Sequence, residues 1–124
     1  MADISIFLTG RLYPSEFADL ISKDFYQHLS DPRNHPWGIS TNPIFLENKD
    51  YYLLSHSDPE FNNMALFSIV VAHDSLRIYF KPNPQLSTLK SSNSNPLPLI
   101  IFLFADYIYK KHSNDISFIS LNLL

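Results

Sequence analysis

The sequence predicts an α+β fold: an antiparallel or mixed sheet of about five to six strands with two helices packed on it, in the order β-α-β-β-β-β-α-β. Three observations lead there. Hydrophobic spacing changes from alternation to a helical period twice along the chain. The apolar segments between the two helical stretches are short and bounded by turn formers. Those segments follow one another directly, which favours antiparallel pairing.

The elements follow in chain order. Ile4-Ser5-Ile6-Phe7-Leu8 alternates weakly and runs into Thr9-Gly10, a strand ending in a turn. From Pro14 the period becomes helical: Phe17, Leu20, Ile21, Phe25 and Leu29 share one face, and Glu16, Asp19, Lys23 and Gln27 lie on others. Pro14 and Ser15, with Glu16 in the first turn, mark the start, and Asp31-Pro32 marks the end. The stretch from Asp31 to Pro43 holds three of the nine prolines, so it reads as a loop anchored by a buried Trp37. Ile44-Phe45-Leu46 and Tyr51-Tyr52-Leu53-Leu54 flank the polar Glu47-Asn48-Lys49-Asp50, a hairpin signal.

A stronger hairpin follows. Met64 to Ala72 is almost wholly apolar and predicts a central strand buried on both faces. His73-Asp74-Ser75 supplies the turn, and Leu76 to Lys81 alternates. Residues 82–95, rich in Ser, Asn and Pro, predict a flexible surface loop. Asn95-Pro96 then caps a helix from Leu97 to Tyr109, closed by Lys110, Lys111 and His112, where cations suit the helix dipole. A strand beginning near Leu99 is the competing reading. Ile116 to Leu124 alternates and predicts a last strand.

Composition bounds the rest. Residues 1–124 are read as a single domain with one core. Hydrophobic residues make up 45% and charged residues only 17%, so the chain is not disordered by composition. With no cysteine, disulfides, Fe-S clusters, thiolate zinc sites and cysteine nucleophiles are excluded, and a cytoplasmic location is the expectation. No signal peptide is read at the start, and the apolar run after Leu97 is too short to span a bilayer. A net charge of −3 offers no basic footprint for nucleic acid. Gly10 and Gly38 are the only glycines, which excludes Gly-rich phosphate loops and the G-x-S-x-G nucleophile elbow.

Two histidines carry the sharpest chemistry. His56 lies near Asp58 and His73 beside Asp74, and a carboxylate next to an imidazole fixes its tautomer for general base work. The competing reading is that His56-Ser57-Asp58-Pro59 and His73-Asp74-Ser75 are polar turns in which Asp and Ser cap their own backbone. No HxxxH or HExxH spacing is present, so neither a metal nor any other cofactor is expected. Arg11, Arg33 and Arg77, the only arginines, read as surface charges. Alternation places Tyr52 and Tyr79 outward and Tyr51 and Phe80 inward.

Two function classes follow. The first is a small protein-binding module of the inhibitor or immunity type, anti-defence or toxin-neutralising, acting by steric occlusion of another protein. Its partner surface would comprise Glu47, Asp50, Tyr52, Asp58, Glu60 and Tyr79, with a basic, nucleic-acid-handling protein as the complementary target. Self-association as a homodimer is compatible with this reading. The second is a small enzyme or ligand-sequestering domain, which requires His56 and His73, with Asp58 and Asp74, to converge in one pocket. Without a catalytic motif, the balance leans away from an enzyme.

Overall fold

The computed structural model describes residues 2–40, 51–83 and 96–123. Its elements are β1 (Ala2–Leu8), α1 (Pro14–Gln27), β2 (Trp37–Ile39), β3 (Tyr52–His56), β4 (Ala65–Val71), β5 (Ser75–Pro82), α2 (Leu97–Lys111) and β6 (Ile116–Asn122). The strands form one sheet in the order β2-β3-β4-β5-β1-β6, with every neighbouring pair antiparallel. The predicted α+β class and element order therefore hold.

Alternation along the strands sorts the sheet into two faces. Ile4 sits between Ile78 and Leu121, and Ile6 between Leu76 and Ile119; together with Phe67 and Phe80 these residues face both helices. Phe17, Ile21 and Phe25 of α1 and Ile100, Ile101, Phe104 and Ile108 of α2 close over them. Phe104 holds the middle, with ring centroids 5.6 Å from Phe80, 5.4 Å from Trp37 and 5.9 Å from Phe25. Each such fully buried ring contributes about 1.5–3 kcal/mol of apolar burial. The opposite face carries a smaller apolar group, Tyr51, Leu53 and Leu66, with Tyr79 packed against it.

Several boundaries differ from expectation, each for a local reason. The first of the four middle strands is Trp37–Ile39, inside the proline-rich stretch read as a loop; it pairs with His56, Ser55 and Leu54, so tertiary pairing overrides local composition there. The strand read at Ile44–Leu46 and the turn Glu47–Asp50 lie outside the described residues. Trp37 is the buried anchor predicted. In α1, Leu20 is partly exposed, and Leu29 lies beyond the end of the helix at Gln27. The carbonyl of Gln27 accepts from the amides of Ser30 (3.2 Å) and Asp31 (2.8 Å), which turns the chain four residues before the predicted stop.

In β4 only Ala65 to Ser68 are buried, and Val70 and Val71 are exposed, because β3 pairs with Leu66 and Phe67 and goes no further along β4. The segment from Leu97 is helical throughout, so no strand begins at Leu99. Its cap is Pro96, with Leu97 and Pro98 in the first two helical positions where a missing amide costs nothing. Asn95 and residues 84–95 of the predicted loop lie outside the described residues, whereas Pro82 belongs to β5.

Candidate partner-binding cleft

Beside the short β3–β4 pairing lies a concavity. Where β3 begins, the β4 edge from Ser68 to Val70 has no strand beside it among the described residues. A cleft of about 620 Å³ opens over that edge. Phe25 and Tyr26 of α1, Ile39 of β2, and Tyr52 and Phe67 wall its helix side. Tyr51, Ser68, Val70 and Tyr79 continue it round to the other face. Tyr26 and Tyr52 are exposed, whereas Tyr51 is buried under the Lys81 ammonium, which lies 4.0 Å from its ring centroid. The cleft is thus aromatic and aliphatic, with phenols and the hydroxyls of Ser22 and Ser68 among its lining, the composition of interface centres and ligand pockets alike.

The predicted aromatic pair meets here, although by a different geometry from the one alternation suggested. Tyr52 lies on the helix side, its ring 6.0 Å from that of Phe67, yet it is exposed because β3 is near the sheet edge. Tyr51 is inward only in the sense of burial, since it packs with Leu53 and Leu66 on the helix-free face. Tyr79 is half-buried on that same face.

The acidic residues do not join them. Asp58 and Glu60 are exposed in the turn beyond His56, at the end of β3 opposite Tyr52, and neither lines the cleft. There Asp58 caps its own turn: its carboxylate accepts from the Glu60 amide at 2.9 Å and its carbonyl from the amides of Phe61 and Asn62. Glu47 and Asp50 lie outside the described residues.

The histidines do not converge either. His56 leaves β3 at the Ala65 end of β4, while His73 sits in the turn beyond Val71, so the length of β4, about 20 Å, separates them. His56 is half-buried with its ring edge-on to Trp37 at 4.2 Å, and its Nδ1 accepts from the Asp58 amide at 2.9 Å. Burial pushes His56 below its ordinary value against the opposing pull of the Asp58 charge, so it is neutral at pH 7. His73 and Asp74 are exposed in the β4–β5 turn, which the Ala72 amide closes onto the Ser75 carbonyl at 2.9 Å. The pocket required for a His56/His73 enzyme is not formed, and the polar-turn reading describes both sites. Among the described residues no group of three or more His, Asp or Glu could hold a metal ion. Among the described residues no helix is long and apolar enough to cross a membrane.

The most polar constellation escaped the sequence reading. Asp24, only 3% exposed, sits on the buried face of α1. Its carboxylate accepts from His35 Nδ1 at 2.5 Å, from the Tyr107 hydroxyl at 3.0 and 3.1 Å, and from the Lys111 ammonium. Because an ionised carboxylate only accepts, His35 Nδ1 carries the proton. Burial alone would raise the Asp24 carboxyl, but bonds from Lys111, His35 and Tyr107 together hold it below the ordinary value. Burial and the Asp24 charge push the Tyr107 phenol up, and Lys111 is raised by Asp24 and Tyr107 despite partial burial. The visible signal was spacing: Asp24 falls three residues after Ile21 and one before Phe25, on the apolar stripe. Neither Asp24 nor its partners line the cleft, so the cluster ties α1, α2 and the 28–36 segment together rather than facing a ligand.

No protein-family model, curated protein or solved structure matches this chain.

Proposed function

We propose that this chain is a protein-binding module whose working surface is the aromatic cleft over the β4 edge, blocking the surface of a partner in the manner of an inhibitor or immunity protein. The carrying observation is the clustering of Tyr26, Tyr52, Ile39 and Val70 around a concavity at the β4 edge, which no strand of the described residues pairs beyond Phe67 on that side. Exposed tyrosines supply large, rigid contact area at low entropic cost, and a strand edge offers main-chain hydrogen bonds to an extended segment. The described lining carries apolar and phenolic side chains, and the reading rests on these as anchors.

The test is affinity capture from lysate with the wild-type chain and with Tyr26→Ala, Tyr52→Ala, Val70→Lys and His73→Ala, each verified as folded. A protein retained by wild type and by His73→Ala but lost from the three cleft variants supports the reading. Retention by all four variants removes the cleft from it.

The cleft volume favours one second reading, a small-ligand site, because 620 Å³ falls within the range of about 300–1,000 Å³ common to such pockets. Native mass spectrometry of the purified chain separates the two: a co-purifying small molecule displaced by Tyr52→Ala selects the ligand reading.

A further inference from the structure

We propose that β6 is a self-pairing edge through which two copies of this chain join about a two-fold axis, continuing the antiparallel sheet from one copy to the other with the two α2 helices side by side. This surface lies at the far end of the sheet from the aromatic cleft and does not depend on the function assigned to it.

The two sheet edges are built differently. Edge strands are ordinarily protected by brevity, charge or proline. β2, at one end, is three residues long and follows Pro36. β6, at the other, is seven residues long, Ile116-Ser117-Phe118-Ile119-Ser120-Leu121-Asn122, with no charge and no proline. Among the described residues no further strand lies beside it. A second strand added there would lie beneath α2, where Phe102, Ala105, Asp106 and Tyr109 form one wall of a groove and Ser117, Ile119 and Leu121 the other.

Three features fit a second copy as the occupant. Two-fold pairing sets each strand against its own sequence in reverse, so a charge near the axis would meet its own copy, and β6 carries none. The same axis turns α2 antiparallel to its copy, so the Asp106–Lys110 pair, 2.9 Å apart in one chain, meets its own opposite in the other. The area is also sufficient in kind. Phe102, Tyr109 and Phe118 are 58%, 46% and 54% exposed, which at roughly 200 Å² per aromatic side chain leaves about 300 Å² of ring surface per copy. Leu99, Leu121 and Leu123 add to it, toward the roughly 800 Å² per partner of a standard interface. Phe118 is already presented for such a contact, stacked on Phe7 at 4.5 Å.

The experiment is sedimentation equilibrium of the full chain at about 100 µM, well above a micromolar Kd. Phe102→Lys, Ser120→Lys and Val70→Lys are run in parallel, with circular dichroism confirming each fold. All three substitutions replace exposed side chains. The expected result is a mass of twice 14.3 kDa for wild type and for Val70→Lys, and about 100-fold weaker association for Phe102→Lys and Ser120→Lys, which place an ammonium group in an apolar helix flank and in an uncharged strand seam. A monomeric wild type at that concentration overturns the proposal, as does a dimer that persists in both edge variants. Weaker association in Val70→Lys alone would move the dimer to the cleft and overturn it too. None of these outcomes decides whether the cleft binds a partner, which the capture experiment reads separately.

Discussion

Asp24 in α1 and Tyr107 in α2, 83 residues apart in sequence, are joined by two hydrogen bonds of 3.0 and 3.1 Å from one phenol to both carboxylate oxygens. Lys111, one turn further along α2, reaches the same carboxylate. α1 packs on β2, β4 and β5 and α2 on β1, β5 and β6, and this cluster is a polar link between the two helices.

Removing the carboxylate therefore strands three donors. Asp24→Ala is expected to cost about 2–4 kcal/mol, the lower part of the range for breaking a buried pair because Lys111 keeps partial access to water. Tyr107→Phe should cost about 1 kcal/mol, since Asp24 retains Lys111 and His35. Urea denaturation measures both, and equal losses in the two variants would show that the cluster is not organised around Asp24.

Acid should act in two stages. His56 and His112 are both pushed below their ordinary 6.5 by burial, and His112 also by the neighbouring Lys111 charge. The unfolded chain takes up these protons first, so stability is full above pH 6.5 and declines as pH falls through the folded-state values, by at most about 1.4 kcal/mol per pH unit for each group. His112 Nε2 is buried without a hydrogen-bond partner among the described residues, and the ring stands edge-on to Phe17 at 5.1 Å. His112→Phe keeps that contact and should flatten the first stage. A wild-type slope unchanged by the substitution would assign the loss elsewhere.

The second stage belongs to Asp24. Its folded value is below the ordinary 3.8, so the ionised carboxylate stabilises the fold above that pH and the contribution is lost as pH falls through the folded value. Thermal melts between pH 5 and 2 should show this loss in wild type and not in Asp24→Asn.

Gly38 is held by close approach. A Cβ there would come within 2.6 Å of the Cβ and ring of His28, whose Nδ1 lies 2.7 Å from the His35 carbonyl. Gly38→Ala is expected to cost about 1–3 kcal/mol by overpacking. An unchanged melting temperature would mean that the His28 ring swings away freely.

His73→Ala should leave stability within about 0.5 kcal/mol, because the side chain is exposed in a turn. His56→Ala should cost more, since the ring is wedged between Trp37 at 4.2 Å and Phe61 at 5.5 Å. Differential scanning calorimetry of the two variants checks the contrast, and matching losses would count against it.

Local pattern alone determined most of the elements. The helical stripe of Phe17, Ile21 and Phe25, the alternation of Leu76, Ile78 and Phe80, the apolar stretch from Met64 and the helix after Pro96 were each legible, because burial on one face imposes a period on the residues that supply it. The buried Trp37 was legible for a related reason: a lone large ring in a proline-rich stretch has few other uses.

Tertiary structure decided what depends on partners distant in sequence. Trp37–Ile39 becomes a strand only because β3 lies beside it, and Tyr52 is exposed because β3 lies near the sheet edge. The cleft lies beside the short β3–β4 pairing, and no spacing of residues announces it. Asp24 looks like a misplaced acid on an apolar stripe until α2 brings Tyr107 and Lys111 to it. His56 and His73 look alike beside their aspartates until the antiparallel register sends them to opposite ends of β4. Period is a property of one segment and can be read from it, whereas register, pairing length and the solvation of a charge are properties of two segments at once.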